Sequence, residues 1–117
     1  MPQWELKIQI TYTNNGGVDF SGNAVCNVYY PFYSTEKPVG TSVIPVTIKA
    51  GETLTVTHTI KTDPLVDIPG KAVVEVEVYL KDNGKVYSYK RTKITLPDKS
   101  MIKPEDIKLM EAKALTT

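Results

Sequence analysis

The stretch KAVVEVEVYLKDNGKVYSYKRTKITL, Lys71 to Leu96, decides the fold. In its first half Ala72, Val74, Val76, Val78 and Leu80 alternate with Glu75, Glu77 and Tyr79. Successive side chains of a strand point to opposite sides of the pleat, so this alternation marks a strand with one buried face. Asp82-Asn83-Gly84 supplies the turn, because Gly84 adopts positive φ without a Cβ clash. A β-hairpin is therefore expected. A two-residue Asn83-Gly84 turn would set Val76 opposite Arg91 and bury a guanidinium, which costs several kcal/mol if unpaired. A three-residue turn instead pairs Leu80 with Val86, Ala72 with Ile94, Glu75 with Arg91 and Tyr79 with Tyr87. The second register is expected, with Tyr79, Tyr87 and Tyr89 as an outward stripe.

Outward from the hairpin, the remaining segments read as further layers. Trp4, Leu6, Ile8, Ile10 and Tyr12 alternate with Glu5, Lys7, Gln9 and Thr11, a half-buried strand that ends at Asn14-Asn15-Gly16-Gly17. Val18 to Tyr30 continues with Phe20, Ala24, Cys26, Val28 and Tyr30 in phase, interrupted at Ser21-Gly22-Asn23. Pro31 to Gly40 is a loop. Thr41 to Ile48 carries Pro45, which lacks a ladder donor and so belongs at a sheet edge or a bulge. After the Lys49-Ala50-Gly51-Glu52 turn, Leu54, Val56, His58 and Ile60 oppose a row of threonines at 53, 55, 57 and 59. The body ends near Pro97, and the composition then shifts to Glu, Lys, Met and Ala. Pro104 suits a first helical position, with Glu105 and Asp106 in the first turn, which predicts a helix from Pro104 to Leu115. Two regions follow: a sandwich over 1–97 and a helical tail over 98–117. The tail residues Ile107, Met110 and Leu115 are the candidate assembly contacts, because an isolated helix of ~12 residues is marginal and needs docking.

The 117 residues suffice for one core without staples, and 41% hydrophobic with 23% charged is ordinary globular composition. A net charge of +1, with Arg91 the only arginine, argues against a nucleic-acid partner. The single cysteine, Cys26, excludes an intrachain disulfide and falls on the inward face as a small hydrophobe. No signal-peptide pattern opens the sequence and no apolar run approaches the ~20 residues of a membrane helix, so a cytoplasmic or virion-associated protein without membrane insertion is expected. A lysine-rich surface with abundant Ile, Val and Tyr and little Gln points to a thermophilic source.

Few residues suggest chemistry. His58 is the only histidine, which excludes a blue-copper set and structural zinc, and no nucleophile-elbow motif accompanies it. It reads as a core histidine with one ring nitrogen bonded to backbone. Glu75 and Glu77 lie ~7 Å apart along one strand face, the spacing of an inverting glycosidase pair, but read as surface charge facing solvent or lysines. No catalytic residue, metal or cofactor is assigned. The aromatic cluster Tyr29, Tyr30, Phe32 and Tyr33 carries the functional promise, since aromatics offer large contact area at low entropy cost. Tyr79, Tyr87 and Tyr89 form a second candidate contact.

The order of segments resembles a known group. An Asn15-Gly16-Gly17 after the first strand, a strand closing on Val28-Tyr29-Tyr30, the Lys49-Ala50-Gly51-Glu52-Thr53 turn and Ile68-Pro69-Gly70-Lys71 before a valine-rich strand carry the likeness. Over residues 4 to 96 the chain resembles the CARDB-like (cell-adhesion-related) immunoglobulin-like sandwiches of prokaryotic, notably archaeal, proteins. The resemblance implies a non-catalytic adhesion or scaffold module. The expected fold is thus all-β, an immunoglobulin-like sandwich of about seven strands in two antiparallel sheets, with a short C-terminal helix. The expected function is a non-enzymatic structural or protein–protein interaction module. The alternatives are a carbohydrate-binding module using Tyr29 to Tyr33, or a small structural or host-interaction protein of an archaeal virus.

Overall fold

Period-two patterning drives six segments into strands: β1 (Glu5–Asn14), β2 (Phe20–Tyr29), β3 (Gly40–Ile48), β4 (Thr53–Lys61), β5 (Val73–Asp82) and β6 (Lys85–Thr95). The structure, a computed structural model, describes residues 3–98 and 110–115. β3, β2, β5 and β6 form one antiparallel sheet in that order, and β4 pairs antiparallel with β1 in the other. The described chain is all-β and built as a β-sandwich. The chain changes sheet between β1 and β2, between β3 and β4, and between β4 and β5, so the two inner faces are closed by three connections.

The core lies between the sheets. Leu6, Ile8, Ile10 and Tyr12 of β1 are fully buried, and so are Ala24, Cys26 and Val28 of β2. Val74, Val76, Val78 and Leu80 face them from β5, and Val56 and Ile60 from β4. Each buried aliphatic or aromatic side chain contributes about 1.5–3 kcal/mol, so alternation on these four strands is sufficient to fix which face turns inward. Pro45 falls on β3, at the sheet edge, where its missing N–H interrupts no inner ladder.

Polar clamps close the ends. At one end Asn14 donates from Nδ2 to the carbonyls of Val18 and Ile48, both at 2.9 Å, and its Oδ1 accepts from Gly16 N. At the other, Trp4 Nε1 donates to Ile68 O at 2.7 Å, and Asp63 N donates to Val39 O at 2.8 Å. Buried backbone carbonyls without partners would each cost a desolvation penalty, and these side chains remove it.

Two sequence expectations are corrected. The helix expected over Pro104 to Leu115 does not form at its C-terminal end: Met110–Leu115 (β7) is extended and pairs parallel with Gln9–Asn14 of β1. No helix occurs among the described residues. Unpaired N–H and C=O groups along β1 offer a ladder to any extended segment, and this pairing outweighs the helical preference of Met, Glu, Ala, Lys and Leu. Ile107, placed with Met110 and Leu115 in the assembly tail, lies outside the described residues.

The hairpin register also differs. Asp82 pairs with Lys85, Lys81 with Val86 and Leu80 with Tyr87, so the turn has two residues. Asn83 and Gly84 have φ of 48° and 79°, the positive pair of a type I′ turn, whose twist matches that of the flanking strands. Arg91 is nevertheless kept out of the core. A β-bulge sets Ser88 and Tyr89 together against Tyr79, with Ser88 at φ 55°. Beyond it Val78 pairs with Lys90, Glu77 with Arg91 and Glu75 with Lys93. The extra residue absorbs the phase error that a three-residue turn was expected to absorb.

Candidate functional site

Sheet pairing brings an array of polar and aromatic side chains onto the outer face of the four-stranded sheet. In successive rows across β3, β2, β5 and β6 stand Pro45, Asn23, Lys81 and Val86, then Val43, Val25, Tyr79 and Tyr89. The next row is Thr41, Asn27, Glu77 and Arg91, followed by Tyr29, Glu75 and Lys93.

Glu77 is the hub of this face. Its Oε1 accepts hydrogen bonds from Asn27 Nδ2 and from the Tyr29 hydroxyl, both at 3.0 Å, and its Oε2 accepts from the Tyr89 hydroxyl at 2.6 Å. Arg91 Nη1 stands 3.7 Å from Oε2. Burial alone would raise the Glu77 pKa, but the bonds from Tyr89, Asn27 and Tyr29 and the Arg91 charge hold it below the usual carboxylate value. The reciprocal effect appears on the phenols. Burial, and then the bond to Glu77, push Tyr29 up to about 12, and the bond to Glu77 raises Tyr89.

Arg91 holds the array to its surroundings. Its Nε donates to Glu75 Oε1 at 2.7 Å, its Nη2 donates to Thr35 O at 3.2 Å, and its guanidinium lies 4.0 Å over the Tyr29 ring. The Glu75 bond is the leading cause of its raised pKa. A planar guanidinium that stacks on one face and donates along its edge is a task lysine cannot perform. Thr41 Oγ1 extends the network by donating to Asn27 Oδ1 at 2.8 Å. The Tyr79 and Tyr89 rings stack at 6.1 Å and 22°.

The two tyrosine groups expected from sequence separate on the structure. Tyr79 and Tyr89 share the outer face, but the two-residue turn sets Tyr87 opposite Leu80 on the inner face, where its ring meets Phe20 edge-on at 5.5 Å. The outward stripe of three tyrosines is thus a pair. In the other group Tyr29 is 7% exposed beneath Arg91, and Tyr30 is half-buried against the core. Phe32 is 91% exposed and Tyr33 45%. The Tyr30 and Phe32 planes meet at 62°, so these four rings make no flat platform.

Glu77, read from sequence as surface charge beside Glu75, is buried and faces tyrosines and an arginine rather than solvent and lysines. Asn27, Thr41 and Arg91 were not foreseen as its companions. The signal was present: the only arginine of the sequence stands across a hairpin from two glutamates, in a segment that also carries Tyr87 and Tyr89.

His58 sits on the inner face of β4, fully buried, with Nδ1 2.7 Å from Ser42 Oγ across the sheet junction. Its partner is a side chain, not the backbone group expected. Its Nε2 has no hydrogen-bond partner among the described residues, and burial lowers its pKa to about 4. Cys26 is buried, and burial followed by the Glu77 charge pushes its thiol up to about 12. Among the described residues no three His, Cys, Asp or Glu side chains group as metal ligands, and no helix is long and apolar enough to cross a membrane. No protein-family model matches the chain, and no curated protein matches it either.

Proposed function

We propose that the chain is a non-enzymatic, immunoglobulin-like interaction module, serving adhesion, scaffolding or assembly, whose contact surface is the outer face of its four-stranded sheet. The observation that carries this reading is the difference between the two outer faces. The four-stranded sheet displays Val43, Val73, Val86 and Tyr89, each about half exposed. The described side chains on the outer face of β1 and β4 are Glu5, Lys7, Gln9, Lys61 and threonines, with Thr11 bonded to Thr55 and Thr13 to Thr53. Apolar and aromatic groups gathered on one face mark contact surfaces, whereas an evenly hydroxylated face is well solvated. The Glu77 network adds preorganisation, because rings and guanidinium already locked in place lose little entropy on contact.

The strand order β3-β2-β5-β6 over β4-β1 supports the immunoglobulin-like reading, since from β1 to β6 it follows from three sheet changes and two antiparallel neighbour connections, β2 to β3 and β5 to β6. Both oxygens of Glu77 are committed to donors, which leaves it ill-suited to proton transfer. A protein partner fits better than a sugar, whose ring needs a flat aromatic platform. The test places a photo-crosslinking amino acid at Val43 or Tyr89, and in separate variants at Thr55 or Thr57. Covalent capture of protein from the Val43 and Tyr89 positions alone is expected. Capture from the threonine face, or from neither, refutes the reading.

A further inference from the structure

The partner of this face can be argued from its layout. We infer that the outer face of the four-stranded sheet packs against the same face of a second copy of the chain, about a two-fold axis parallel to the strands. This inference rests on the interaction-face reading above and names its occupant.

An axis along the strand direction, lying between β2 and β5 in the plane of contact, exchanges β3 with β6 and β2 with β5. Rows then meet rows at the same level. Val43 on one edge meets Tyr89 of the second copy on the other, and Val25 meets Tyr79. One row along, Pro45 meets Val86 and Asn23 meets Lys81. In the other direction Thr41 meets Arg91, while Asn27, Glu77 and Tyr29 lie buried in their own network beneath Arg91 and present no charge to the second copy. Every apolar group in these rows lands on an apolar or aromatic one, and no like charges are opposed. An isologous interface requires this self-complementarity, and most surfaces lack it.

The charges on the face are also prepared for burial. Desolvating an unpaired carboxylate or guanidinium is strongly unfavourable, whereas a hydrogen-bonded pair carries much of its compensation with it. Glu77 already accepts three hydrogen bonds, and Arg91 is bonded to Glu75, stacked on Tyr29 and anchored to Thr35. Near the middle, Lys81 meets Asn23 of the second copy, an asparagine able to accept from it. Lys93 stands in the outermost row, opposite no residue of β3 in the second copy. Two sheets meeting this way pack ~10 Å apart, like the two halves of a sandwich.

The test follows from the same geometry. Val43 and Tyr89 occupy opposite edges of one sheet, three strand spacings or about 14 Å apart, too far for an intrachain disulfide, whose Cα atoms lie within about 7 Å. Facing positions on sheets ~10 Å apart also lie beyond that reach, so V43C/Y89C is expected to be joined into dimers by a bis-maleimide too short to span about 14 Å, and V43C or Y89C alone is not. Sedimentation of the unaltered chain from about 1 µM to about 500 µM is expected to show the mass doubling with concentration. V43K should weaken that association at least ~10-fold, and T57K, on the opposite face, should leave it unchanged. Circular dichroism confirms that each variant is folded.

A chain that stays monomeric throughout overturns the inference. So does a dimer broken by T57K but not by V43K, or V43C alone cross-linking as well as the pair. If the chain is monomeric while the Val43 crosslinker captures a protein of another mass, the second-copy assignment fails and the interaction face stands. Capture from the threonine face sinks both.

Discussion

Replacing Glu77 by alanine removes the acceptor on which three hydrogen bonds from β2 and β6 converge, and the cost can be worked donor by donor. Asn27 and Tyr29 are 9% and 7% exposed, so their freed Nδ2 and hydroxyl cannot readily turn to water. A buried donor left without an acceptor costs about 1–3 kcal/mol. Tyr89 is 54% exposed, so its hydroxyl is rehydrated at little cost. Arg91 keeps Glu75 and Thr35. The sum is about 2–4 kcal/mol, with Thr41 still holding the other end of Asn27. For a domain of this size, with a urea slope of about 1.3 kcal/mol/M, the unfolding midpoint falls by about 1.5–3 M. Glu77→Gln keeps one acceptor oxygen but loses the charge, and should cost about 1–2 kcal/mol.

The pH dependence supplies an independent check. The folded-state pKa of Glu77 lies below its unfolded value, so its contribution is fully present above the unfolded pKa and is lost as pH falls through the folded one. Urea midpoints of the unaltered chain should decline from about pH 5 downward, and this portion of the decline should be missing in Glu77→Gln. A Glu77→Ala chain that loses less than about 0.5 kcal/mol, with the pH slope intact, would falsify the account of Glu77 as a buried hub.

Other expectations are simpler. Because burial lowers the His58 pKa to about 4, its neutral form stabilises the fold fully above the unfolded value of about 6.5, and stability is lost as pH falls towards 4. His58→Leu should flatten that window in denaturant titrations between pH 7 and pH 4.5, and an unchanged slope would assign it elsewhere. Cys26 should resist a thiol reagent at pH 8 in the folded chain and react fully in denaturant; rapid labelling of native protein would contradict its burial. Gly22→Ala would bring a Cβ to 2.5 Å from the Lys81 carbonyl and 2.8 Å from the Phe20 ring. A clash with backbone of the neighbouring strand should cost about 1–3 kcal/mol in thermal or urea unfolding, and a neutral substitution would show that β2 and β5 can part.

The sandwich itself was legible because alternation encodes which face is buried, and burial dominates the energy. Trp4 to Tyr12, Leu54 to Ile60 and Ala72 to Leu80 announce their inward sides residue by residue. Lys85 to Leu96 does so less reliably, since nothing in its composition marks Ser88 as an inserted residue. The avoidance of a buried Arg91 was foreseen from its desolvation cost. The device was not, because a longer turn and a later bulge solve the same problem, and Asn83-Gly84 favours the two-residue turn. Met110 to Leu115 misled for a different reason. Local propensity reads helix there, while the ladder it completes belongs to β1, a hundred residues away in sequence. The Glu77 array was opaque because it draws on four strands and a loop, and strand order cannot be read from any one of them.

The bulge at Ser88 has a consequence for how this surface could change over time. It divides β6 into two lengths whose phases are set independently, one by the turn and one by the body of the sheet. Loss of that single residue would close the ladder without changing a face: Tyr89 would stand alone opposite Tyr79, and Lys90, Arg91 and Lys93 would keep Val78, Glu77 and Glu75 as partners. The bulge is therefore a slack residue: a one-residue deletion there is absorbed on the spot, and Arg91 stays outward beside Glu75 and Tyr29. The same loss in β5, which carries no slack residue, would instead carry the side chains on one side of the deletion across the pleat, so the two strands of one hairpin differ in the length changes they tolerate.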